Sequence, residues 1–427
     1  MHIFFSGIGG TAIGPLALIA KQAGYTVSGS DKQDSQYIQY LIGQGVSNIH
    51  IGQSKEQIAE KHAVNPIDWY VYSSAISIEQ PDAPELVFCS ENAIKSTKRD
   101  ELLNHIIQEK QLKLVAIAGT HGKTTTTAMA VWLFKQLNIP MSYSVGAKIS
   151  YGEMGQYSED SEYFIYECDE FDRNFLAFQP YMSLITGIDY DHHEIFPTRE
   201  DYQAAFKQFL GQSTWNIVWH SDVASVGLTT SEKYINLDDN EQKLNTLSIV
   251  GLVNRRDAWQ VIQAVHKITD TPIDELITHM NNFPGLSRRF EKISPNLYSD
   301  YAHTIPKIQG CLQQAHELSD NVVVVYEPLT NRRQEYIKSD YKNLFKNVKK
   351  LYWVPSYLAR EDPQQHVYTP AELIDYMDNK EIAEPAGFDE ELERNIKLHV
   401  AKGDLVVCIS GGGGNSLDEW LRRIFIT

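Results

Sequence analysis

The chain has 427 residues, of which 42% are hydrophobic, and a formal net charge of −17 at pH 7. This length predicts about two to four domains with real cores, and no run approaches the roughly 20 apolar residues of a membrane span. The net negative charge argues against nonspecific binding to nucleic acid. The four cysteines have no C-x-x-C spacing, which argues against a disulfide framework or a thiolate zinc site and favours a reducing cytoplasm.

The first segment predicts a strand, a glycine loop, a helix and a second strand. Ile3–Ser6 is a short apolar strand, followed by Gly7-Ile8-Gly9-Gly10-Thr11-Ala12 in the pattern G-x-G-x-x-[GA]. The second strand ends in Ser30-Asp31, which places an acid about twenty residues beyond the glycines, where it can meet a ribose hydroxyl. The next strand, Trp69–Tyr72, ends in Ser73-Ser74. The pattern indicates a nucleotide diphosphate site, with a plain strand-to-helix turn as the alternative.

The central segment is built around a second glycine loop, Gly119-Thr120-His121-Gly122-Lys123-Thr124-Thr125. The apolar run Leu112–Ala118 leads into it and apolar residues at helical spacing follow, which predicts strand, loop and helix. Backbone N–H groups of such a loop can surround phosphate oxygens, and the helix dipole favours the negative charge. Lys123 would supply a point charge to the β- and γ-phosphates, and Thr124 a hydroxyl ligand to Mg²⁺. The loop is shorter than G-x-x-x-x-G-K-[ST], because the first glycine of that pattern would stand at Ile117.

Carboxylates and histidines follow the next two apolar strands. Tyr163–Tyr166 ends in Glu167-Cys168-Asp169-Glu170-Phe171-Asp172, and Met182–Thr186 is followed by Asp189-Tyr190-Asp191-His192-His193-Glu194. A strand that ends in carboxylates beside a phosphate loop is where Mg²⁺ is expected. Each acid alone is more often a solvated loop residue, but together the clusters predict one shared site.

A linker and a further α/β segment complete the chain. Pro284-Gly285 and the pair Arg288-Arg289 suit a linker that brings a guanidinium to phosphate, with a solvated basic pair as the alternative. The first strand beyond it, Leu297–Ser299, ends in Asp300-Tyr301-Ala302-His303. Later apolar strands alternate with helical stretches, which predicts a second doubly wound domain. They are Val322–Tyr326, Lys350–Val354 and Leu405–Ile409.

We therefore expect an α/β protein of three domains. Residues 1–110 should form an N-terminal Rossmann-like domain, and residues 111–293 a central P-loop-type ATPase domain with a mostly parallel sheet. Residues 294–427 should form a C-terminal Rossmann-like domain.

These motifs, in this order, resemble the Mur ligase family, whose members are three-domain, ATP-dependent ligases that add amino acids or peptides to UDP-N-acetylmuramic acid in peptidoglycan synthesis. The resemblance spans essentially the whole chain. It rests on Gly7-Ile8-Gly9-Gly10-Thr11, Ser28-Gly29-Ser30-Asp31, Ser73-Ser74-Ala75, Gly119-Thr120-His121-Gly122-Lys123-Thr124-Thr125, Glu167-Cys168-Asp169-Glu170, Asp191-His192, Arg288-Arg289-Phe290-Glu291 and Asp300-Tyr301-Ala302-His303. The GTHGKT loop with a G-x-G-G N-terminus resembles the branch that uses UDP-N-acetylmuramate itself.

The resemblance implies where each ligand would bind. The residues implied for ATP are Gly119, Thr120, His121, Gly122, Lys123, Thr124, Thr125, Asn254, Arg289 and Asp300. Those implied for the UDP-sugar are Gly7, Gly9, Gly10, Thr11, Ser30, Asp31, Ser73 and Ser74. The implied metal residues are Thr124 and Glu167 for one Mg²⁺ and His192 near a second, and the catalytic residues would be Lys123, Glu167, His192 and His303. The third domain would hold the incoming amino acid or peptide.

The resemblance also implies the reaction. ATP would phosphorylate the lactyl carboxylate, and the acceptor's amino group would then attack the acyl phosphate and release phosphate. L-alanine is the expected acceptor, because Phe283-Pro284-Gly285 and the short stretch from Asp172 to Thr186 resemble the L-alanine ligase. The alternative is L-Ala-γ-D-Glu-meso-diaminopimelate, the acceptor of the murein tripeptide ligase, which Glu327-Pro328-Leu329-Thr330-Asn331 and Ser410-Gly411-Gly412-Gly413 resemble. We expect a cytoplasmic monomer or dimer with no nucleic-acid or membrane partner.

The chain departs from the family pattern in a few places. Val253-Asn254 stands where the family has His-Asn. Asp257 stands where the family has a second Asn. The Asp257 carboxylate can accept a hydrogen bond from an adenine amino group but cannot donate one. The His-His-Pro motif of the third domain is His303-Thr304-Ile305-Pro306. These changes leave a catalytically silent nucleotide-binding relative as a further alternative, against which the retained Lys123 and Glu167 argue.

Overall fold

Three sheets follow one another along the chain, each flanked by helices, in a computed structural model of the protein. The structure describes residues 1–46, 48–73, 76, 80, 82–190, 195–228, 231–359, 361 and 365–426. Most strand pairs are parallel, so the expected α/β class with three domains is confirmed.

The first sheet is entirely parallel, in the order β3-β2-β1-β4-β5. Its strands are β1 (His2–Ser6), β2 (Thr26–Asp31), β3 (Asn48–Ile51), β4 (Trp69–Tyr72) and β5 (Lys95–Lys98). Its helices are α1 (Ile13–Gln22), α2 (Gln36–Gly43), α3 (Lys55–Val64), α4 (Pro84–Glu91) and α5 (Arg99–Glu109). The strand order reverses between β1 and β4, and such a switch point leaves a crevice at the carboxyl ends of the strands.

The second sheet has the order β12-β11-β10-β6-β9-β7-β8 and is parallel except for the β7–β8 pair. Its strands are β6 (Lys113–Ala118), β7 (Met141–Ser144), β8 (Gly155–Gln156), β9 (Tyr163–Glu167), β10 (Met182–Ile185), β11 (Trp215–Trp219) and β12 (Tyr234–Leu237). Its α-helices are α6 (Lys123–Gln136), α7 (Arg199–Gln212), α8 (His220–Ser225), α9 (Leu252–Thr269) and α10 (Ile273–Met280), with 3₁₀ turns at Phe171–Ala177 and Gln242–Thr246. Strand β6 lies between β10 and β9, which brings three loops to one edge.

The third sheet has the order β13-β14-β18-β15-β16-β17, with only the β13–β14 pair antiparallel among the described pairs. Its strands are β13 (Glu291–Ser294), β14 (Leu297–Asp300), β15 (Val322–Glu327), β16 (Lys350–Trp353), β17 (Ala383–Pro385) and β18 (Leu405–Ser410). Its α-helices are α11 (Ile305–Leu318), α12 (Asn331–Ile337), α13 (Pro370–Ile374), α14 (Glu390–Ala401) and α15 (Leu417–Phe425), with 3₁₀ turns at Lys338–Asn343 and Lys380–Ile382. Strands β15 and β18 are buried along their whole length, as their continuous apolar sequences predict for a sheet covered on both faces.

The chain divides into two compact units. The first contains Met1–Leu247 and Arg256–Phe283, and the second contains Ser248–Arg255 and Pro284–Thr427. The first unit therefore holds two of the three sheets. The domain boundaries after residues 110 and 293 stay predictions. Every helix within the described residues is too short or too polar to cross a membrane.

Candidate active site

Loops from four adjacent strands of the second sheet meet at its carboxyl edge. The glycine loop follows β6, the acidic run starting at Glu167 ends β9, Thr186-Gly187 follows β10, and Gly146 follows β7. Parallel strands present their carboxyl ends at the same edge, so the predicted convergence of the first three loops is a direct consequence of the strand order.

The glycine loop, here called the phosphate loop (Gly119–Thr124), needs its two glycines. Gly119 has a φ of +138° and Gly122 a φ of +78°, a region that residues with a side chain rarely adopt. A Cβ on Gly119 would also lie 2.8 Å from the backbone nitrogen of Thr186. Gly122 is the N-cap of α6, and no side chain in the described part of the chain caps that helix start. The loop therefore offers a helix N-terminus of the kind that binds phosphate.

Thr120 ties the loop to the chain that follows β10. Its hydroxyl donates to the carbonyl of Asp189 at 2.8 Å, accepts from the Asp189 amide at 2.9 Å, and lies 2.8 Å from the Tyr202 hydroxyl. Its own amide donates to Gly187 at 3.0 Å. Thr120 was implied as an ATP contact by the resemblance, but its side chain and amide are engaged within the protein, so its role in this structure is to hold the loop.

Lys123 forms a buried ion pair at the end of the loop. Its Nζ lies 2.7 Å from Oε2 of Glu170 and donates to the carbonyl of Gly119 at 2.7 Å. The side chain of Glu170 is fully buried and that of Lys123 is only 14% exposed. Burial alone would lower the pKa of Lys123, but the negative charges of Glu170, Asp169 and Glu167 outweigh it and raise the pKa. Lys123 therefore carries a full positive charge at the loop.

Thr124 and Glu167 provide a pair of oxygen ligands beside the lysine. The Thr124 hydroxyl donates to Oε1 of Glu167 at 3.0 Å. A Cβ on Gly146 would lie 2.7 Å from Oε2 of Glu167, so a glycine there leaves the carboxylate room. His192, the third implied metal ligand, lies outside the described residues. Within the described ranges, no group of three or more histidine, cysteine, aspartate or glutamate side chains is placed to hold a metal ion.

Two basic residues that follow one another at the end of β5 and the start of α5 form ion pairs with the acidic run that begins at Glu167. Arg99, at the start of α5, places Nη2 3.5 Å from Asp169, and Lys98 pairs with Asp172. Asp172 and Arg173 have φ values of 54° and 58°, two successive residues in the left-handed region. Such a conformation costs about 1–2 kcal/mol per residue. The pairing of Lys98 with Asp172 stabilises this unfavourable turn.

The first glycine loop is held by strand β2. The amides of Gly7 and Ile8 donate to the carbonyl of Ser30 at 2.9 and 3.0 Å. The amide of Gly9 donates to Oδ2 of Asp31 at 2.8 Å. Asp31, implied as a UDP-sugar contact, thus orders the loop in this structure. Of the other implied residues, Gly10 and Thr11 are exposed and Ser73 is half-buried at the end of β4, whereas Ser74 lies outside the described residues.

In the second unit, Asp300 is the last residue of β14, and His303 lies in the loop that follows. Asp300 is buried, and its two oxygens accept from the amides of Phe290 at 2.7 Å and Ala302 at 2.8 Å. Burial lowers the pKa of His303 to about 3, and the positive charges of Lys307, Arg333 and Arg289 add to this effect. His303 is therefore neutral at pH 7, and its Nδ1 lies 2.8 Å from the carbonyl of Tyr301.

Arg288, Arg289 and Asn254 also belong to the second unit, and each makes different contacts there. Arg288 donates to the carbonyls of Ser410 and Gly412 at 3.0 and 2.6 Å, so it is engaged within the unit. The Arg289 guanidinium lies 5.2 Å from the ring centre of Tyr301. The Asn254 amide donates to Val250 at 2.9 Å and to Gln314 at 3.0 Å.

Two residues of the site were given no role at the level of sequence. They are Gly146 beside Glu167 and Glu170 as the partner of Lys123. Glu170 stands in the acidic run that was singled out, so its signal was present. Gly146 is distant in sequence from the phosphate loop and carries no motif, so only the fold brings it to the loop. Asp257, which the resemblance implied as an adenine contact, lies beside Gly122.

Comparison with protein families gives two adjacent matches. The model described as the Mur ligase family, catalytic domain, matches residues 2–111, and that of the Mur ligase middle domain matches residues 117–243.

The chain is also similar to curated proteins and solved structures over nearly its whole length. UDP-N-acetylmuramate–L-alanine ligases from Clostridium perfringens and Clostridium novyi are 28% and 29% identical, covering 96% of this chain and 95% and 94% of theirs. The structure of the UDP-N-acetylmuramate-alanine ligase of Thermotoga maritima matches with a TM-score of 0.76 at 22% identity, over 99% of this chain and 98% of that one. A murein peptide ligase from Psychrobacter arcticus matches with a TM-score of 0.62 at 19% identity, over 100% of this chain and 98% of that one.

Proposed function

The chain belongs to the Mur ligase family, and on that premise we propose that it is an ATP-dependent amide ligase that joins L-alanine to the lactyl carboxylate of UDP-N-acetylmuramate through an acyl phosphate. The two Clostridium relatives named above are UDP-N-acetylmuramate–L-alanine ligases, and each match covers 96% of this chain. The observation that carries the proposal is the phosphate loop, where Lys123 meets Glu170 and Thr124 meets Glu167. Those contacts supply charge, a hydroxyl and a carboxylate where ATP phosphates would bind.

Mg²⁺ fits the residues at this edge of the sheet. A hard cation prefers hydroxyl and carboxylate oxygens, which Thr124 and Glu167 provide within 3.0 Å of each other. The missing side chain at Gly146 leaves space beside both groups, since a Cβ there would lie 2.7 Å from Oε2 of Glu167 and 3.6 Å from the Thr124 hydroxyl. When bound, Mg²⁺ would neutralise phosphate charge. We propose Thr124 and Glu167 as its protein ligands, with His192 as the further candidate.

The residues of the site act mainly by positioning and by neutralising charge. Lys123 would compensate the negative charge that develops on the transferred phosphoryl group, and the loop amides would orient it. Glu170 holds the lysine beside the loop before the nucleotide arrives. The reaction then needs the lactyl carboxylate in line with the γ-phosphate, a requirement for orientation more than for acid–base chemistry.

In the second unit, His303 would orient the incoming amino acid, L-alanine. A histidine whose pKa is about 3 is too weak a base to deprotonate an amine at neutral pH. Since Nδ1 faces the Tyr301 carbonyl, Nδ1 carries the proton and Nε2 has a free lone pair. We therefore propose that Nε2 of His303 accepts a hydrogen bond from the amino group of the incoming L-alanine.

The cysteines support a cytoplasmic location for the protein. All of those described are buried free thiols, as is usual in a reducing compartment.

The identity of the amine substrate is tested by comparing L-alanine with L-Ala-γ-D-Glu-meso-diaminopimelate under otherwise identical conditions. We expect ADP formation that needs UDP-N-acetylmuramate, Mg²⁺ and L-alanine together, with UDP-N-acetylmuramoyl-L-alanine as the product by mass spectrometry. Turnover with L-Ala-γ-D-Glu-meso-diaminopimelate and none with L-alanine would move the protein to the tripeptide ligase. MgATP binding without turnover on either amine would favour a silent relative, and a mixture without UDP-N-acetylmuramate is the control.

A further inference from the structure

The side chain of Arg288 contacts two separate segments of the second unit. Its Nη2 donates to the carbonyl of Ser410, the last residue of β18, at 3.0 Å and to that of Gly412 at 2.6 Å. Its guanidinium carbon lies 4.6 Å from the ring centre of Tyr301, which directly follows β14. One charged group therefore holds the loop after β18 and the loop after β14.

The two segments that Arg288 contacts are also neighbours of His303. The Tyr301 carbonyl lies 2.8 Å from Nδ1 of His303, and the two rings meet edge to face with their centres 5.1 Å apart. Gly411 stands between the two carbonyls that accept from Arg288, and a Cβ on it would lie 2.8 Å from Cβ of His303. The positions of Tyr301 and Gly411 therefore determine where the imidazole of His303 lies.

Several contacts hold Arg288 in an unfavourable backbone conformation. Its φ is 59°, in the left-handed region that residues with a side chain rarely adopt. Its amide donates to Glu291 at 2.7 Å, its carbonyl accepts from the Tyr301 amide at 2.8 Å, and its Nε lies 3.3 Å from Oδ2 of Asp418. Arg422 on α15 pairs with both of these acids. Backbone strain that the surroundings maintain in this way is typical of functional positions.

Arg288 is used differently from what its place in the arginine pair predicts. The sequence predicts that the pair brings a guanidinium to phosphate, yet Nη2 and Nε of Arg288 already face two carbonyls and a carboxylate. A guanidinium presents its donors in a rigid planar fork and also packs on aromatic rings, which suits a residue that holds two segments at once. These contacts place the function of Arg288 beside His303.

We propose that Arg288 is a positioning residue for the amine substrate, because it fixes Tyr301 and Gly411 and, through them, the imidazole of His303. This role rests on the proposed function, since it takes His303 to meet the amino group of L-alanine. A displacement of about 1 Å at an orienting group can cost on the order of a hundredfold in rate. The cost should fall on the amine and spare the nucleotide, because His303 belongs to the second unit and the phosphate loop to the first.

The first test measures the Michaelis constants of all three substrates in Arg288→Met. This variant removes the charge and the donors but keeps a long, unbranched side chain. We expect KM for L-alanine to rise about 10- to 100-fold, with kcat at saturating L-alanine and KM for MgATP and UDP-N-acetylmuramate within about threefold. If Arg288→Met does not fold, Arg288→Lys replaces it: it keeps a charge beside Asp418 but loses the planar fork, so KM for L-alanine should rise about fivefold or more.

The matched control is Arg422→Met, which removes an arginine from the same network. Among the described residues, the Arg422 side chain donates hydrogen bonds to Ser287, Glu291 and Asp418 alone. Arg422→Met should therefore lower the melting temperature and leave KM for L-alanine within about twofold of the unaltered protein.

A second variant, Gly411→Ala, leaves Arg288 in place and displaces His303 directly. The added methyl group has no room beside the His303 side chain, so KM for L-alanine should rise as it does in Arg288→Met. Because both substitutions act through the same displacement, the double variant should raise KM by less than the product of the two single effects.

The position of the imidazole can be followed without turnover by the NMR signal of His303. The signal is assigned by its loss in His303→Gln, and it should shift in Arg288→Met. The signal of His399 is the internal control, because this residue lies 2.7 Å from Asp404, at the opposite end of β18. It should stay where it is.

Four results would overturn the role of Arg288 while leaving the proposed function intact. They are an unchanged KM for L-alanine in the folded Arg288 variant, an equal rise in Arg422→Met, independent effects in the double variant, and an unshifted His303 signal. An unaltered protein that does not use L-alanine in the presence of MgATP and UDP-N-acetylmuramate would instead contradict the proposed function.

Discussion

Lys123→Ala is expected to abolish ATP-dependent phosphate release, lowering kcat by on the order of a thousandfold or more. The ammonium group is the positive charge at the phosphate loop that lies 2.7 Å from Glu170, and the reaction relies on charge neutralisation more than on covalent chemistry. The measurement is steady-state ADP formation with UDP-N-acetylmuramate and L-alanine. Activity within a few-fold of the unaltered protein would show that the phosphate loop is not the catalytic centre.

The control must separate lost chemistry from lost stability. Removing one partner of a buried ion pair costs about 3–5 kcal/mol, because the other charge stays buried without compensation. The double variant Lys123→Met, Glu170→Gln removes both charges, so it should recover most of the thermal stability and none of the activity. Lys113→Met is the matched surface control, since Lys113 pairs with Glu162 at the opposite end of the same strands and should leave activity unchanged.

Glu167→Gln is expected to lower kcat by on the order of a hundredfold and to raise the Mg²⁺ concentration needed for half-maximal activity. The amide oxygen can still accept the hydrogen bond that Thr124 donates at 3.0 Å, so the local fold should persist while the negative charge is lost. Activity is measured across a Mg²⁺ titration, together with the melting temperature.

The matched control for this variant is Glu162→Gln. Glu162 directly precedes β9, whereas Glu167 ends it, so the two substitutions make the same chemical change at opposite ends of one strand. Glu162→Gln should leave the Mg²⁺ titration unchanged. A titration that is equally unchanged in Glu167→Gln would remove Glu167 from the metal site.

Each strand that the sequence predicts has a neighbouring strand on both sides in its sheet. Strands β6, β9 and β15 are continuous apolar runs because each lies inside a parallel sheet. The edge strands β3 (Asn48–Ile51) and β5 (Lys95–Lys98) escape such an analysis. An edge strand has one unpaired side and tolerates polar side chains, so its sequence carries little of the expected pattern.

The predicted site residues divide in a similar way. Lys123, Thr124 and Glu167 lie next to one another because strand order alone brings the ends of β6 and β9 together. Thr120 and Asp300 share motifs with ligand-binding residues, yet their polar atoms are engaged by the protein itself. The sequence does not distinguish a polar group that holds a loop from one that contacts a ligand, because both uses need the same residue type.

Asp257 shows what the three-dimensional environment adds. In sequence it is an aspartate that cannot donate a hydrogen bond if it is ionised. In the structure it is buried beside Gly122, and burial favours the protonated form, which can donate. The chemical capacity of the residue is set by its desolvation, which depends on the packing of α9 against the phosphate loop.

The most direct test of the central claim uses UDP-N-acetylmuramate labelled with ¹⁸O in its lactyl carboxylate. Attack of that carboxylate on the γ-phosphate places a labelled oxygen in the acyl phosphate, and attack by the acceptor's amino group then releases phosphate that carries it. We expect the phosphate formed during turnover with L-alanine to contain one ¹⁸O atom, as mass spectrometry would show. Unlabelled phosphate during amide formation would contradict the acyl phosphate, and with it this account of how the phosphate loop is used.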